Sequence, residues 1–206
     1  MPITPGSPWG ATSPIPDRAL HLSSDRALGT FLRDNTAQHI HAQSLFMQSG
    51  DITRVLGVKS RSNIDECIRV IIDAISVSYT DAHGVEHTDV CVGSLSIARR
   101  FLRGAICIVS NSGYWNDHEV APRAHLNDGK LDIFEVSGAM RWSQRRLMWQ
   151  KTSLGTHLPH PLLSYSQGDF SHWEGSPQRL TIDGQFVATV TKVACRIQSD
   201  CVQIYA

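Results

Sequence analysis

Two short acidic turns are the best candidates for chemistry in this sequence. The first is Asn127-Asp128-Gly129, which follows Pro122 and leads into the alternating run Leu131-Asp132-Ile133-Phe134-Glu135-Val136. The second is Asp183-Gly184-Gln185, set between two apolar runs. A carboxylate held in a tight turn, flanked by backbone carbonyls, can seat a hard cation such as Mg2+ or Ca2+. The same geometry also describes an ordinary Asn-Asp-Gly turn with no ligand.

Other groups are weaker candidates. His83 and His87, and His157 and His160, have zinc-like spacing but lack cysteine or carboxylate partners at matching intervals. His39 and His41 would share a face if their segment were a strand. Arg141, Arg145, Arg146 and Lys151, interleaved with Trp142 and Trp149, would form either a basic-aromatic surface for anionic lipid or a solvated helix face.

The elements that must position these groups follow from periodicity. The spacing of Leu28, Phe31 and Leu32 predicts a helix over residues 24–35, with Ser24 or Asp25 as cap. A strand is expected over 39–46, then a short helical piece from Asp51 to Gly57. Ile64, Cys67, Ile68, Ile71, Ile72 and Ile75 form a stripe that predicts a helix over 64–77, with Asn63 and Glu66 resembling a capping box. Residues 81–89 read as a hairpin turn or loop. Strands are expected over 105–110, 131–136, 179–182, 186–193 and 202–205, interrupted by one helix over 143–154 that Gly155 closes. Five of the nine prolines lie in the first 16 residues, so that stretch is expected to be an extended or disordered arm.

Composition narrows the function. The chain has 206 residues, 41% hydrophobic, enough to bury a core in one large or two small domains. Nineteen basic residues balance nineteen acidic ones, so no global basic field points to nucleic acid. Five cysteines with no Cys-x-x-Cys pair suggest buried free thiols in a reducing compartment. No apolar run approaches the roughly 20 residues needed to span a bilayer, and no signal peptide is visible. A cytoplasmic protein, peripheral to a membrane at most, is the expectation.

In order and spacing, the second half of the chain resembles the diacylglycerol kinase-like family of soluble lipid kinases. The resemblance rests on Ile108-Val109-Ser110-Asn111, Gly113, Pro122, Ala124, Asn127 to Asp132, the basic helix with Arg145, Arg146 and Lys151, Gly155-Thr156-His157, and Asp183-Gly184-Gln185. Upstream, Met47 to Gly57 is similar to the family's GTxND-F-A-R-x-LG element, with Met47 and Gln48 where Gly and Thr stand. Ser23-Ser24-Asp25-Arg26-Ala27 is similar in position to the GGDGT phosphate loop.

The resemblance implies an α+β fold: a β-sandwich-like C-terminal domain with one helix, preceded by a reduced α/β remnant. The implied boundaries are an arm over 1–22, a remnant nucleotide domain over 23–90 and the β-rich domain over 91–206. It implies ATP-dependent phosphorylation of a lipid hydroxyl of the diacylglycerol type, with Mg2+ as cofactor. By the family pattern, Ser24, Asp25, Arg26, Gln48, Ser49, Gly50 and Asp51 would face the nucleotide. Asp128 with the carbonyls of His125 and Lys130 would hold the metal. Gln185, beside Asp183, stands where the family has its general base.

Three departures weigh against catalysis. A neutral amide at Gln185 cannot accept a proton, and losing a general base lowers rate by about 10²- to 10⁴-fold. Arg26 replaces a phosphate-loop glycine, and either contacts phosphate as a cation or lies on a solvated first helical turn. Only 22 residues precede Ser23, too few for the family's nucleotide domain. Two outcomes follow: a kinase completed by a partner chain or by further N-terminal sequence, or a non-catalytic lipid- or protein-binding scaffold; a homo-oligomer is a further partner expectation. The isolated chain is expected to be impaired or inactive.

Overall fold

The computed structural model describes residues 9–35, 37–57, 66–100, 103–152 and 156–206, without the side chains of Arg100 and Arg103. In chain order the elements are β1 (Ala11–Pro14), β2 (Leu20–Leu22), α1 (Asp25–Asp34), α2 (Ala37–Ala42), β3 (Leu45–Met47), α3 (Asp51–Val55), β4 (Glu66–Asp81) and β5 (Glu86–Cys91). They continue as β6 (Ser94–Arg100), β7 (Arg103–Ser110), β8 (Tyr114–Trp115), β9 (His118–Glu119), β10 (Leu131–Val136), α4 (Trp142–Thr152), β11 (Leu163–Gly168), β12 (Phe170–Ile182) and β13 (Gln185–Tyr205). Among the described residues strands dominate and four helices accompany them, an α+β fold.

One sheet runs β1-β4-β13-β12-β6-β7-β10-β11, with β5 also paired to β4 and the parallel pair β2-β3 joined to β13. The hairpin β8-β9 stands apart.

The stripe expected to form a helix over 64–77 is strand β4 instead, and Ile64 and Asn63 lie outside the described residues. The physical reason is visible in the sequence Val70 to Val77. β-Branched residues lose rotamer freedom in a helix and pack well on a pleated surface, and β13 pairs with this segment from Arg69 to Asp81. Alternation then gives β4 two working faces. Val70, Ile72 and Ala74 enter one core with Leu28, Leu45, Ile52 and Ile204. Ile75 and Val77, on the opposite face, enter another with Leu95, Val109, Leu180 and Cys195.

Among the described residues that second core contains none from a helix, so the sheet curls to cover its own face. A third core packs α4 (Met148, Trp149) and the β8-β9 hairpin (Trp115) on Ile106, Ile108 and Phe134. The strand expected over 39–46 divides instead: α2 covers 37–42, and only Leu45–Met47 is extended. α1, α3, α4 and the strands within 105–110, 131–136, 179–182, 186–193 and 202–205 lie where periodicity put them. Residues 81–89 form the β4-β5 hairpin, closed by the Asp81 carboxylate, which accepts from the amides of His83 and Val85 at 2.8 and 2.9 Å. All five cysteines are free thiols, four of them buried.

Candidate functional site

β2 and β3 run parallel, and each feeds a helix, α1 and α3. The two strand-to-helix turns therefore lie side by side. Ser49 Oγ donates to the Ser23 carbonyl at 2.5 Å, and Gln48 Nε2 meets His21 Nδ1 at 3.3 Å. Ser24 is the extended N-cap of α1, its hydroxyl accepting from the Ala27 amide at 3.2 Å.

Asp25, in the first turn, is buried and turns toward α3. Its Oδ2 accepts from the Asp51 amide at 2.6 Å, while Oδ1 is enclosed with no partner. Gly50 makes this approach possible. Its φ is +130°, and a β-carbon there would sit 2.1 Å from Asp25 Oδ1.

Asp183 reaches the same place from the other side. It occupies the β12-β13 turn with φ of 46°, and its carboxylate turns inward. Oδ2 accepts from the Val92 amide at 3.2 Å. Oδ1 accepts from the Gly93 and Ser94 amides at 2.9 and 3.2 Å and from Cys91 Sγ at 3.3 Å. This carboxylate thus clamps the bend between β5 and β6.

Burial, and then the neighbouring Asp183 charge, push the Asp25 carboxyl up to about 7. Burial also raises Asp183, against which the Gly93 amide and its neighbours act. Four donors hold the Asp183 carboxylate, whereas Asp25 is held by the Asp51 amide with the Ile52 amide nearby, so Asp25 is the member of the pair that takes up a proton more readily.

Arg26 faces away from this pair. It forms a bidentate ion pair with the buried Asp89 of β5, at 3.1 and 2.8 Å, which docks α1 on the sheet. Asp51 lies 3.3 Å from Arg54, and burial raises its carboxyl. Arg54 in turn bonds Asp117 and lies over the Tyr114 ring, bringing the β8-β9 hairpin against α3.

Gln185 opens β13 and is exposed, opposite Ile182 in the hairpin. The structure thus brings together Ser24, Asp25, Gln48, Ser49, Gly50, Asp51 and Asp183, and turns Arg26 elsewhere. Gly29 and Gly93, which the sequence does not mark, complete the packing. A β-carbon on Gly29 would lie 3.1 Å from Asp183 Oδ2.

The other acidic turn is held by a residue that the helical reading of 64–77 concealed. Asp73 of β4 is fully buried and accepts from the Gly129 and Asp200 amides, each at 2.8 Å. A lone aspartate inside the apolar run Val70-Ile71-Ile72-Asp73-Ala74-Ile75 is the signal that could have found it. Asn127 adds bonds to the Ile71 carbonyl at 2.9 Å and the Asp200 carboxylate at 3.2 Å.

Asp128 itself is half-buried and accepts from the Lys130 amide at 3.0 Å. The His125 ring accepts from the Asn127 amide and packs edge-on to Trp9, and Lys130 is exposed. Asn111 Nδ2 joins the two acidic turns, donating to the carbonyls of Asp73 (2.9 Å) and Val92 (3.3 Å). Among the described residues no three His, Cys, Asp or Glu side chains converge as a metal site. His87 is bonded to Asp81, and His157 to the Val120 carbonyl.

The residues around α1 do not fit a directly held nucleotide phosphate. Ser24 already caps the helix, Ser49 and Gln48 are bonded to Ser23 and His21, the nearby cation Arg26 is paired, and the side chains that remain are the carboxyls of Asp25, Asp51 and Asp183. Anionic oxygens would meet carboxyls there rather than free N–H groups.

α4 divides differently from the expected basic surface. Arg145 and Trp149 are buried, whereas Arg141, Trp142, Arg146, Leu147 and Lys151 are exposed. Arg145 donates to the carbonyls of Met140 (3.0 Å), Ser137 (2.8 Å) and Gly104, which pins α4 to the sheet. Gly155 lies outside the described residues. Among the described residues no helix is long and apolar enough to cross a membrane.

No family model matches the sequence, and no curated protein does. The fold does match solved structures. One, described as a "putative diacylglycerol kinase" from Bacillus anthracis str. Sterne, is 11% identical with a TM-score of 0.53; the match covers 79% of this chain and 69% of the other. A second structure of the same description is 12% identical with a TM-score of 0.48, covering 79% and 69%. A third, a diacylglycerol kinase of that organism, is 13% identical with a TM-score of 0.49, covering 79% and 65%. Over about four-fifths of its length, the chain has a diacylglycerol kinase-like fold.

Proposed function

We propose that this chain is a lipid-binding member of the diacylglycerol kinase-like lineage that does not transfer phosphate by itself. One observation carries the reading. The residue at the general-base position is the amide Gln185, and the carboxyl two residues before it is committed to three backbone amides and a thiol. Neither group can take a proton from a lipid hydroxyl. The pairing of Arg26 with Asp89 supports the same conclusion, because it commits to the sheet the cation that the resemblance places at the phosphate loop.

In this reading α1, β3 and α3, within residues 23–90, are the remnant of a nucleotide domain, and β2 pairs with β3 from just ahead of that span. The chain ahead of α1 is its leading arm, and the curled sheet, built mainly from residues 91–206 and completed by β1, β4 and β5, is the counterpart of a β-sandwich-like lipid domain. ATP and Mg2+ belong to the inherited reaction rather than to this chain. The exposed Arg141, Trp142, Arg146, Leu147 and Lys151 of α4, a helix without a carboxylate, suit peripheral contact with an anionic membrane in the cytoplasm.

Thermal denaturation with Mg-ATP, together with transfer of labelled phosphate to dioctanoylglycerol, tests this. The expected result is no shift in Tm and no labelled lipid. Stabilisation by Mg-ATP accompanied by phosphate transfer would establish a working kinase instead.

A further inference from the structure

Outside the acidic cluster, the pocket between the 121–130 segment and β11 has a chemistry that the kinase reading does not use. Its volume is about 790 Å³, within the range of about 300–1,000 Å³ typical of small-molecule sites. Pro122, Leu158, Pro159, Pro161 and Leu163 form apolar walls, and Arg123, His160 and Tyr165 supply the polar groups. No carboxylate lines it, so Arg123 is its one full charge among the described residues.

The polar groups have defined roles. Tyr165 donates its hydroxyl proton to Oδ1 of the buried Asp132, which also accepts from Gln167 at 2.9 Å. The Tyr165 oxygen therefore offers only lone pairs to a ligand. His160 Nδ1 accepts from the Leu162 amide at 3.1 Å, so neutral His160 carries its proton on Nε2 and donates. Arg123 donates as well. The site asks for an acceptor-rich anion, a hydroxyl donor beside it, and an apolar tail.

We propose that this pocket binds a single-chain amphiphile whose head combines a phosphate or carboxylate with a free hydroxyl. The anion meets Arg123 and His160 Nε2, the hydroxyl donates to Tyr165, and the chain lies along the proline and leucine walls. The proposal goes beyond the reading above, and its test contains no nucleotide, so the two can fail separately.

Calorimetry below the micelle concentration, on the full chain, tests it with five probes. Lauroyl lysophosphatidate carries phosphate, hydroxyl and chain, and 3-hydroxydodecanoate carries carboxylate, hydroxyl and chain. Dodecyl phosphate lacks the hydroxyl, monolaurin lacks the charge, and inorganic phosphate lacks the chain. At least one of the first two should bind about tenfold or more tightly than monolaurin, as expected for a charge-assisted pair, and the tighter one identifies the anion.

Arg123→Ala, at an exposed position, should abolish that preference and leave monolaurin unchanged. Tyr165→Phe should bring lauroyl lysophosphatidate down to the affinity of dodecyl phosphate. Equal binding of monolaurin and the anionic probes, or undiminished anion binding by Arg123→Ala, would overturn the proposal.

Discussion

The carboxyl oxygens of Asp25 and Asp183 lie 3.1 and 3.3 Å from a single point, the position that a β-carbon on Gly93 would occupy. Two acids 158 positions apart thus share one enclosed site between the helical layer and the curled sheet.

The pair makes stability depend on pH. The Asp25 carboxyl rises from 3.8 to about 7 on folding, so the native state holds a proton that the unfolded chain releases. Its contribution is fully present below the unfolded value and is lost as pH rises through the folded one. Denaturant unfolding should show stability falling between about pH 4 and pH 7. Asp25→Asn keeps an acceptor for the Asp51 amide and removes the titration. It should stabilise the protein at pH 8 by roughly 2–4 kcal/mol and do little at pH 4. A difference between variant and wild type that does not change with pH would refute the raised affinity of Asp25 for a proton.

The glycines around the pair should rank by geometry. Gly50→Ala combines a φ of +130° with a 2.1 Å clash on Asp25 and should destabilise by about 2–4 kcal/mol. Gly57→Ala has a φ of +69° and open space around it, and should lose only about 1 kcal/mol. Equal losses at the two positions in equilibrium unfolding would mean that Asp25 does not approach the Gly50 backbone.

Asp73, rather than Asp128, should support the first acidic turn. Asp73→Ala leaves the Gly129 and Asp200 amides without their acceptor and should destabilise by about 2–4 kcal/mol. Asp128→Ala loses one bond within its own turn and should change stability by less than about 1 kcal/mol. Magnesium should leave both Tm values unmoved. A magnesium-dependent rise present in wild type and absent from Asp128→Ala would place a cation at that carboxylate.

On α4, adjacent arginines should behave oppositely. Arg145→Ala breaks three bonds from a buried guanidinium to backbone carbonyls and should destabilise by about 2–4 kcal/mol. Arg146→Ala should stay within about 0.5 kcal/mol. Paired Arg146→Glu and Lys151→Glu changes should instead weaken co-sedimentation with phosphatidylglycerol vesicles, and the wild-type binding should fall with salt. Sedimentation indifferent to both charge reversal and salt would remove α4 as a membrane-facing surface.

By itself the sequence determined what local chemistry dictates. Ser24 could be read as a cap, Asp183-Gly184 as a hairpin turn, and the runs 105–110 and 131–136 as strands, because caps, turns and alternation act within a few residues. It could not decide β4. Its isoleucine and valine pattern satisfies both helical and extended periods, and the partner that selects the strand, β13, arrives more than a hundred residues later. Nor could it show that Arg26 is paired with Asp89, that Arg145 is buried while Arg146 is not, or that Asp25 meets Asp183. Those facts depend on burial and on charges brought together from distant parts of the chain. The dielectric around a carboxyl exists only once the surrounding layers have closed, so its ionisation belongs to the tertiary structure and not to the residue type.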